Sequence, residues 1–252
     1  MRTTIDSVRL LLTSAGRYSI RVAQNAEDVC AAQALRFQVF NLELNEGLAE
    51  SFTTGLDQDP FDDVCDHLLV QDTTSQQIVG TYRLQTGLRA EQLLGYYSEQ
   101  EFNFTPYETI RPQVLELGRA CVHRAHRNMI VLGLLWKGIA LYARDNNARY
   151  LFGCSSITSQ DPCVGASAYA QLYRKHLAEV SYRTTPTAKF DCPLDQLVDE
   201  PVVIPKLLRA YLSLGAKICG PPALDRNFRT IDFLTMLDLE SLPALAKQRL
   251  FA

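Results

Sequence analysis

No two of the seven cysteines form a CxxC pair, no repeat or low-complexity linker divides the 252 residues, and no apolar run reaches the length of a membrane span. Each absence excludes something. An odd thiol set without paired spacing fits neither a disulfide framework nor a zinc ribbon, and Cys121 with His123 and His126 matches no zinc pattern, so no metal is expected. The longest apolar stretch, 129 to 143, is interrupted by Lys137. The N-terminal MRTTIDSVRLLLTSAG has too short an apolar core for a secretory signal, and no amphipathic barrel pattern suggests a pore. The expectation is a cytoplasmic protein with reduced thiols, peripheral contact with the inner face of a membrane being left open. A net charge of -3 gives no global attraction for nucleic acid.

What is present is an ordinary globular composition, 47% hydrophobic and 21% charged, which excludes a disordered or fibrous chain. The charge is divided along the chain. Residues 41 to 110 hold thirteen acids against Arg83 and Arg89, whereas residues 111 to 149 hold Arg111, Arg119, Arg124, Arg127, Lys137, Arg144 and Arg149 against Glu116 and Asp145. One region suits a cation and the other an anion; solvated faces of alternating sign would look the same.

The chain begins its regular structure with a strand at YSIRVA (18 to 23). Asn25 then caps a helix running to about Leu44, on which Val29, Ala32, Arg36, Val39 and Phe40 share one face. Arg36 inside an apolar stripe either snorkels to the edge or meets a buried carboxylate. Residues 46 to 66 read as a long Asp-rich loop without EF-hand spacing. A hairpin, 67 to 72 and 77 to 86, follows, with Thr81 and Arg83 on one face and Tyr82 and Leu84 on the other. Residues 89 to 104 form a helix and an aromatic-rich loop. Beyond the centre come an apolar helix (128 to 144), a strand (148 to 157), and a helix from near Cys163 with Tyr169, Leu172 and Tyr173 inward. An extended stretch leads to a short helix stopped by Gly215 and a strand, TIDFLTMLDL.

The centre is QVLELGRACVHRAHR (113 to 127). Two charges, Glu116 and Arg119, sit in a strand that is otherwise apolar, where burial costs energy unless the charge is paired or used. Strict alternation puts them on opposite faces. Gly118 between them marks a bulge that resets the parity, points both to one site and frees backbone N–H for a carbonyl oxygen. A purely structural pair is the rival reading. Arg124, His126 and Arg127 before a helix start make a natural anion site.

Six segments in order, LRFQVF (35 to 40), DDVCDHLLV (62 to 70), IVGTYRL (78 to 84), LELGRACVHRAHRN (115 to 128), LLWKGIA (134 to 140) and CGPPALDRNF (219 to 228), resemble the bacterial ornithine-lipid N-acyltransferases. That family is a GNAT-like branch similar to the N-acylhomoserine lactone and N-acyl amino acid synthases. The resemblance implies an α+β fold, a mixed and mostly antiparallel sheet flanked by helices with splayed central strands. Residues 18 to 180 would be the GNAT-like core and 181 to 252 a C-terminal extension packed on it, one domain overall. It also implies transfer of a 3-hydroxyacyl group from acyl carrier protein to the α-amine of ornithine. The donor would be an acyl-phosphopantetheine thioester, with no tightly bound cofactor. The coenzyme A phosphate loop usual in GNAT proteins is here Arg127-Asn128-Met129-Ile130-Val131-Leu132, lacking both glycines, which favours a carrier-protein donor.

On this reading Glu116 accepts the amine's proton and Arg119 orients the acid or the substrate carboxylate. By resemblance to the homoserine lactone synthases, Arg36, Asp62, Asp66 and Arg83 form a charged network that holds the acceptor. The basic stretch Arg124, Arg127, Asn128 and Lys137 meets the carrier, while Leu135, Trp136 and the aromatics at 96 to 104 line an acyl tunnel. An acyltransferase with another amine acceptor, or a catalytically silent carrier- or lipid-binding module, are the alternatives.

Overall fold

In the computed structural model, which describes residues 11–251, nine strands make one sheet in the order β1-β2-β3-β4-β5-β6-β9-β7, with β8 paired to β9. The opening stretch read for a signal falls largely on residues 1–10, outside those described. Two short strands, β1 (Leu11–Ala15) and β2 (Tyr18–Val22), lead into α1 (Ala26–Phe37). The Asn25 side chain accepts the Asp28 N–H at 2.9 Å, and the helix continues as a π-helical turn, Gln38–Glu43. β1 was not foreseen. The Asp-rich loop folds around α2 (Ser51–Thr54) and a 3-10 turn, Pro60–Asp63, before the hairpin β3 (Asp66–Asp72) and β4 (Ile78–Thr86).

After α3 (Gly87–Gln92) and the 3-10 segments Tyr97–Gln100 and Thr105–Gln113 comes the central strand β5 (Val114–Val122). Then follow α4 (Met129–Asp145), β6 (Tyr150–Ile157), α5 (Pro162–His176) and α6 (Lys206–Ser213). The strands β7 (Lys217–Ile218), β8 (Ala223–Asp225) and β9 (Thr230–Asp238) join the same sheet, and α7 (Ala244–Phe251) follows. The stretch 181 to 252 thus supplies strands as well as surface. On α5, Leu172 is buried, but Tyr173, expected inward, is half exposed and meets Tyr169 edge-on.

Strand alternation sorts the core into two faces. On one, Ile20, Leu68, Val70, Tyr82 and Leu84 pack against Val131, Leu135 and Ile139 of α4. On the other, Leu35 and Val39 of α1 pack against Cys121, while Tyr96, Phe104 and Tyr107 cover Phe152 and Met236. No helix among the described residues is long and apolar enough to cross a membrane. The parallel pairing of β5 with β6 lasts only from Val114 to Glu116 on β5, opposite Tyr150 to Phe152. Beyond it the two strands separate, and β6 continues against β9 alone.

Candidate active site

The site lies where β5 leaves β6. On β5, Gly118 pairs with Arg83 and Cys121 with Thr81, so two residues of β5 stand opposite one of β4. This is the expected bulge. The strained residue is Arg119 itself, at φ 49°, rather than Gly118. With the parity reset, Glu116 and Arg119 line the same cavity, about 380 Å³, whose wall draws on both faces of the sheet. Gly153 on β6 matters here, because a Cβ at that position would strike the Leu117 carbonyl of the departing strand.

On and behind the cavity wall three arginines, of which Arg83 and Arg119 line the cavity, meet three aspartates. Arg36 is fully buried, not snorkelled, and its guanidinium bonds Asp57 at 2.8 Å and Asp62 at 2.6 Å. Arg83 reaches Asp59 at 2.6 Å and Asp62 at 3.0 Å, and Arg119 reaches Asp59 at 2.9 Å and Asp57 at 3.3 Å. Burial opposes the ionisation of Asp62, but Arg36 and then Arg83 hold its carboxyl well below the usual range. Tyr97 lies between the two outer guanidiniums, 5.3 Å from Arg83 and 4.8 Å from Arg119, and Phe228 covers Arg119 at 4.1 Å. The cage folds this way because Asp59 caps the 3-10 turn that carries Asp62, its side chain accepting the Phe61 N–H.

Asp66 stands outside this cage. It begins β3 with its side chain toward α4, where Tyr142 donates to it at 2.5 Å and Arg89 pairs at 3.1 Å, while the next residue, His67, points to the Asp62 side. Strand parity separates Asp66 from the expected network. Asp57 and Asp59 hold the place that Asp66 was expected to fill.

Glu116 makes no ion pair with Arg119. Its two oxygens accept the backbone N–H groups of Tyr97 and Ser98, each at 2.8 Å, which anchors the segment Tyr97–Gln100 over the cavity. Burial pushes its carboxyl above the ordinary value, with the Ser98 hydrogen bonds working against the rise.

Of the basic stretch, Arg127 is engaged by Glu43 through two bonds, 2.6 and 2.8 Å, and also donates to the Val122 carbonyl. The Asn128 side chain caps α4 by accepting from Ile130 and Val131. Arg124 is exposed and Lys137 half-buried. The expected tunnel is only partly as foreseen. Trp136 lines the cavity with Leu151, Leu208, Tyr211 and Leu237, but Leu135, Tyr96, Phe102 and Phe104 are core.

Sequence reasoning saw Asp57 and Asp59 only as unassigned acids of the loop, and missed Gln85, Glu101, Asp225 and Asp232. The last three bring buried carboxylates within 4.8 Å of one another on the cavity wall. Asp232 carried a signal, since an acid inside the apolar strand TIDFLTMLDL poses the same question as Glu116.

Residues 35–137 match the acetyltransferase (GNAT) domain model. The chain is 34% identical over 250 residues to the L-ornithine N(alpha)-acyltransferase of Brucella abortus (strain 2308), spanning 92% of this chain and 88% of that protein. The chain belongs to the L-ornithine N(alpha)-acyltransferase family. It is therefore an acyltransferase. Two solved structures share the fold of this family member at 12% identity. One is FeeM, an N-acyl amino acid synthase from uncultured soil microbes, with a TM-score of 0.53 over 92% of this chain and 97% of that one. The other is the AHL synthase LasI, with a TM-score of 0.50 over 92% and 95%. The splayed strands of this family member are thus set in a GNAT-like frame, as expected from its sequence.

Proposed function

We propose that the chain transfers a 3-hydroxyacyl group from the phosphopantetheine thioester of acyl carrier protein to the α-amine of ornithine, giving a lyso-ornithine lipid. The observation that carries this reading is the cavity. It crosses the sheet at the β5/β6 splay, apolar toward α4 and α6 and lined by carboxylates toward Tyr97–Gln100, with Glu116 on its wall. An acyl chain suits the first half and an amine the second. The acceptor follows from the relatives' names.

The neutral amine attacks the thioester carbonyl carbon. A C–N bond forms, the C–S bond breaks, Glu116 takes the proton released by nitrogen, directly or through water, and the same proton passes on to the leaving thiolate, which departs as the free thiol and leaves Glu116 ionised again. Burial raises the pKa of Glu116, which makes it a stronger base than an exposed carboxylate. The edge of β5 beyond Glu116, with no strand beside it, offers backbone groups to the oxyanion. The cage of Arg36, Arg83 and Arg119 fixes the loop around this centre. Arg124 and Lys137 on the outer surface meet the acidic carrier, an attraction that weakens with salt; Arg127, held by Glu43, contributes less.

The test is release of carrier-protein thiol with ornithine, lysine, glycine, tyrosine or water alone, the N-acyl product being read by mass spectrometry. Ornithine-dependent release supports the reading; release with another amine moves the acceptor, and no release with any amine rejects it. A second reading, Glu116 as anchor alone, is favoured by its two backbone hydrogen bonds. Glu116→Gln separates them. Turnover reduced about a hundredfold or more, with carrier binding and the unfolding transition kept, identifies a base; loss of stability with residual turnover unchanged identifies an anchor.

A further inference from the structure

Glu101, which follows the segment Tyr97–Gln100, Asp225 at the end of β8 and Asp232 on β9 are each at most 3% exposed. One carboxylate oxygen from each lies within 4.8 Å of those of the other two. The guanidiniums on the same cavity wall, Arg83 and Arg119, are already held by Asp57, Asp59 and Asp62. That wall carries five carboxylates, of Glu46, Glu101, Glu116, Asp225 and Asp232, against those two cations. Among the described residues no lysine or arginine forms an ion pair with Glu101, Asp225 or Asp232, and Arg119 acts on Glu101 only at longer range.

A second, separate observation points to an occupant. Gln85 sits directly across from Glu116 in the β4–β5 pairing, is 1% exposed and lines the same cavity. Neither atom of its amide has a hydrogen-bond partner. A buried amide unpaired at both ends is costly unless a ligand completes it.

We propose that the acidic end of the cavity is a subsite for the side-chain ammonium of a diamino-acid acceptor, with Glu101, Asp225 and Asp232 as its hydrogen-bond acceptors; this rests on the acyltransfer reading above. An ammonium has three donors in tetrahedral array, and acceptors 2.7–2.9 Å from its nitrogen lie roughly 4.6 Å apart. The trio's separations, none above 4.8 Å, admit such an arrangement. The charge fits as well: burial and then the neighbouring carboxylates raise the pKa of Glu101 and Asp232, and a bound ammonium supplies the positive charge that these groups lack. Calcium fits less well, because it needs about six to eight oxygens with free lone pairs. Here Asp225 Oδ1 already accepts the N–H groups of Asn227 at 2.7 Å and Phe228 at 3.1 Å, and Asp232 Oδ2 the Thr230 hydroxyl at 3.0 Å.

The experiment compares ornithine with norvaline, the same carbon chain without the side-chain amine, by steady-state acylation and by calorimetry. The proteins are the wild type, Asp232→Asn and Glu101→Gln, two variants so that one misfolded protein does not decide the matter. In the wild type ornithine is preferred in KM by about tenfold or more. Both variants raise the KM for ornithine by about the same factor and leave norvaline unchanged. Variants that preserve the ornithine-to-norvaline ratio overturn the subsite. So does calcium binding that both variants abolish, together with loss of acylation in chelator. If the wild type acylates no amine, the acyltransfer reading falls on its own. Calorimetry then still decides the subsite: ornithine binding lost in both variants supports it, and equal binding of ornithine and norvaline overturns it.

Discussion

Around Arg36 three aspartates meet three arginines; around Asp232, on the same face of the sheet, three carboxylates meet none. The residue types and the burial are alike, and the difference lies in compensation. In the first group every charge has an opposite partner, so each ion stabilises its neighbours and the whole ties loop 46 to 66 to the sheet. In the second, burial and mutual repulsion act together, a cost that protonation or an incoming cation relieves. A closed charge network holds a fold, and an open one is built for something that arrives.

The contrast is broken most severely by removing the cation at the centre of the closed network. Arg36→Ala leaves Asp57 and Asp62 buried without their shared partner, and a loss of about 3–5 kcal/mol is expected in urea unfolding. A loss below about 1 kcal/mol would place the cage in contact with water. Next in size is Gly153→Ala, whose methyl meets the Leu117 carbonyl and forces β5 away from its path. About 1–3 kcal/mol of stability is lost, and because the cavity wall moves with the strand, acylation falls further than stability alone accounts for. Unchanged acylation would show that the splay tolerates a shift of β5.

Much of the closed network was legible in the sequence. Arg36 broke an apolar stripe, Arg83 followed from alternation, and Glu116 and Arg119 flanked the Gly118 that announces the bulge. Asp57 and Asp59 stood out as acids of the loop but were not placed, because an irregular loop has no period to place its side chains. Asp66 was misplaced by a single residue of strand start, enough to turn a side chain to the other face. The pairing of Arg127 with Glu43, 84 residues apart, has no local signal. The open cluster was missed although Asp232 sits in an apolar strand, because the C-terminal stretch looked peripheral to the site, whereas β9 runs beside β6.

The most direct measurement is urea unfolding of Asp62→Asn and Asp232→Asn beside the wild type, at pH 7 and pH 4.5. Asp62 has a lowered folded pKa, so its stabilisation is complete above the unfolded value near 3.8 and is lost only below it. Asp232 has a folded pKa raised to about 6, so its cost is present above that pH and is relieved as the pH falls toward 3.8. The expected result is that Asp62→Asn is less stable than wild type by several kcal/mol, about 3–5, at both pH values. Asp232→Asn is at least as stable as wild type at pH 7, with the difference shrinking at pH 4.5. If Asp232→Asn proves as destabilised as Asp62→Asn at pH 7, the second cluster is compensated after all and the contrast between the two is wrong.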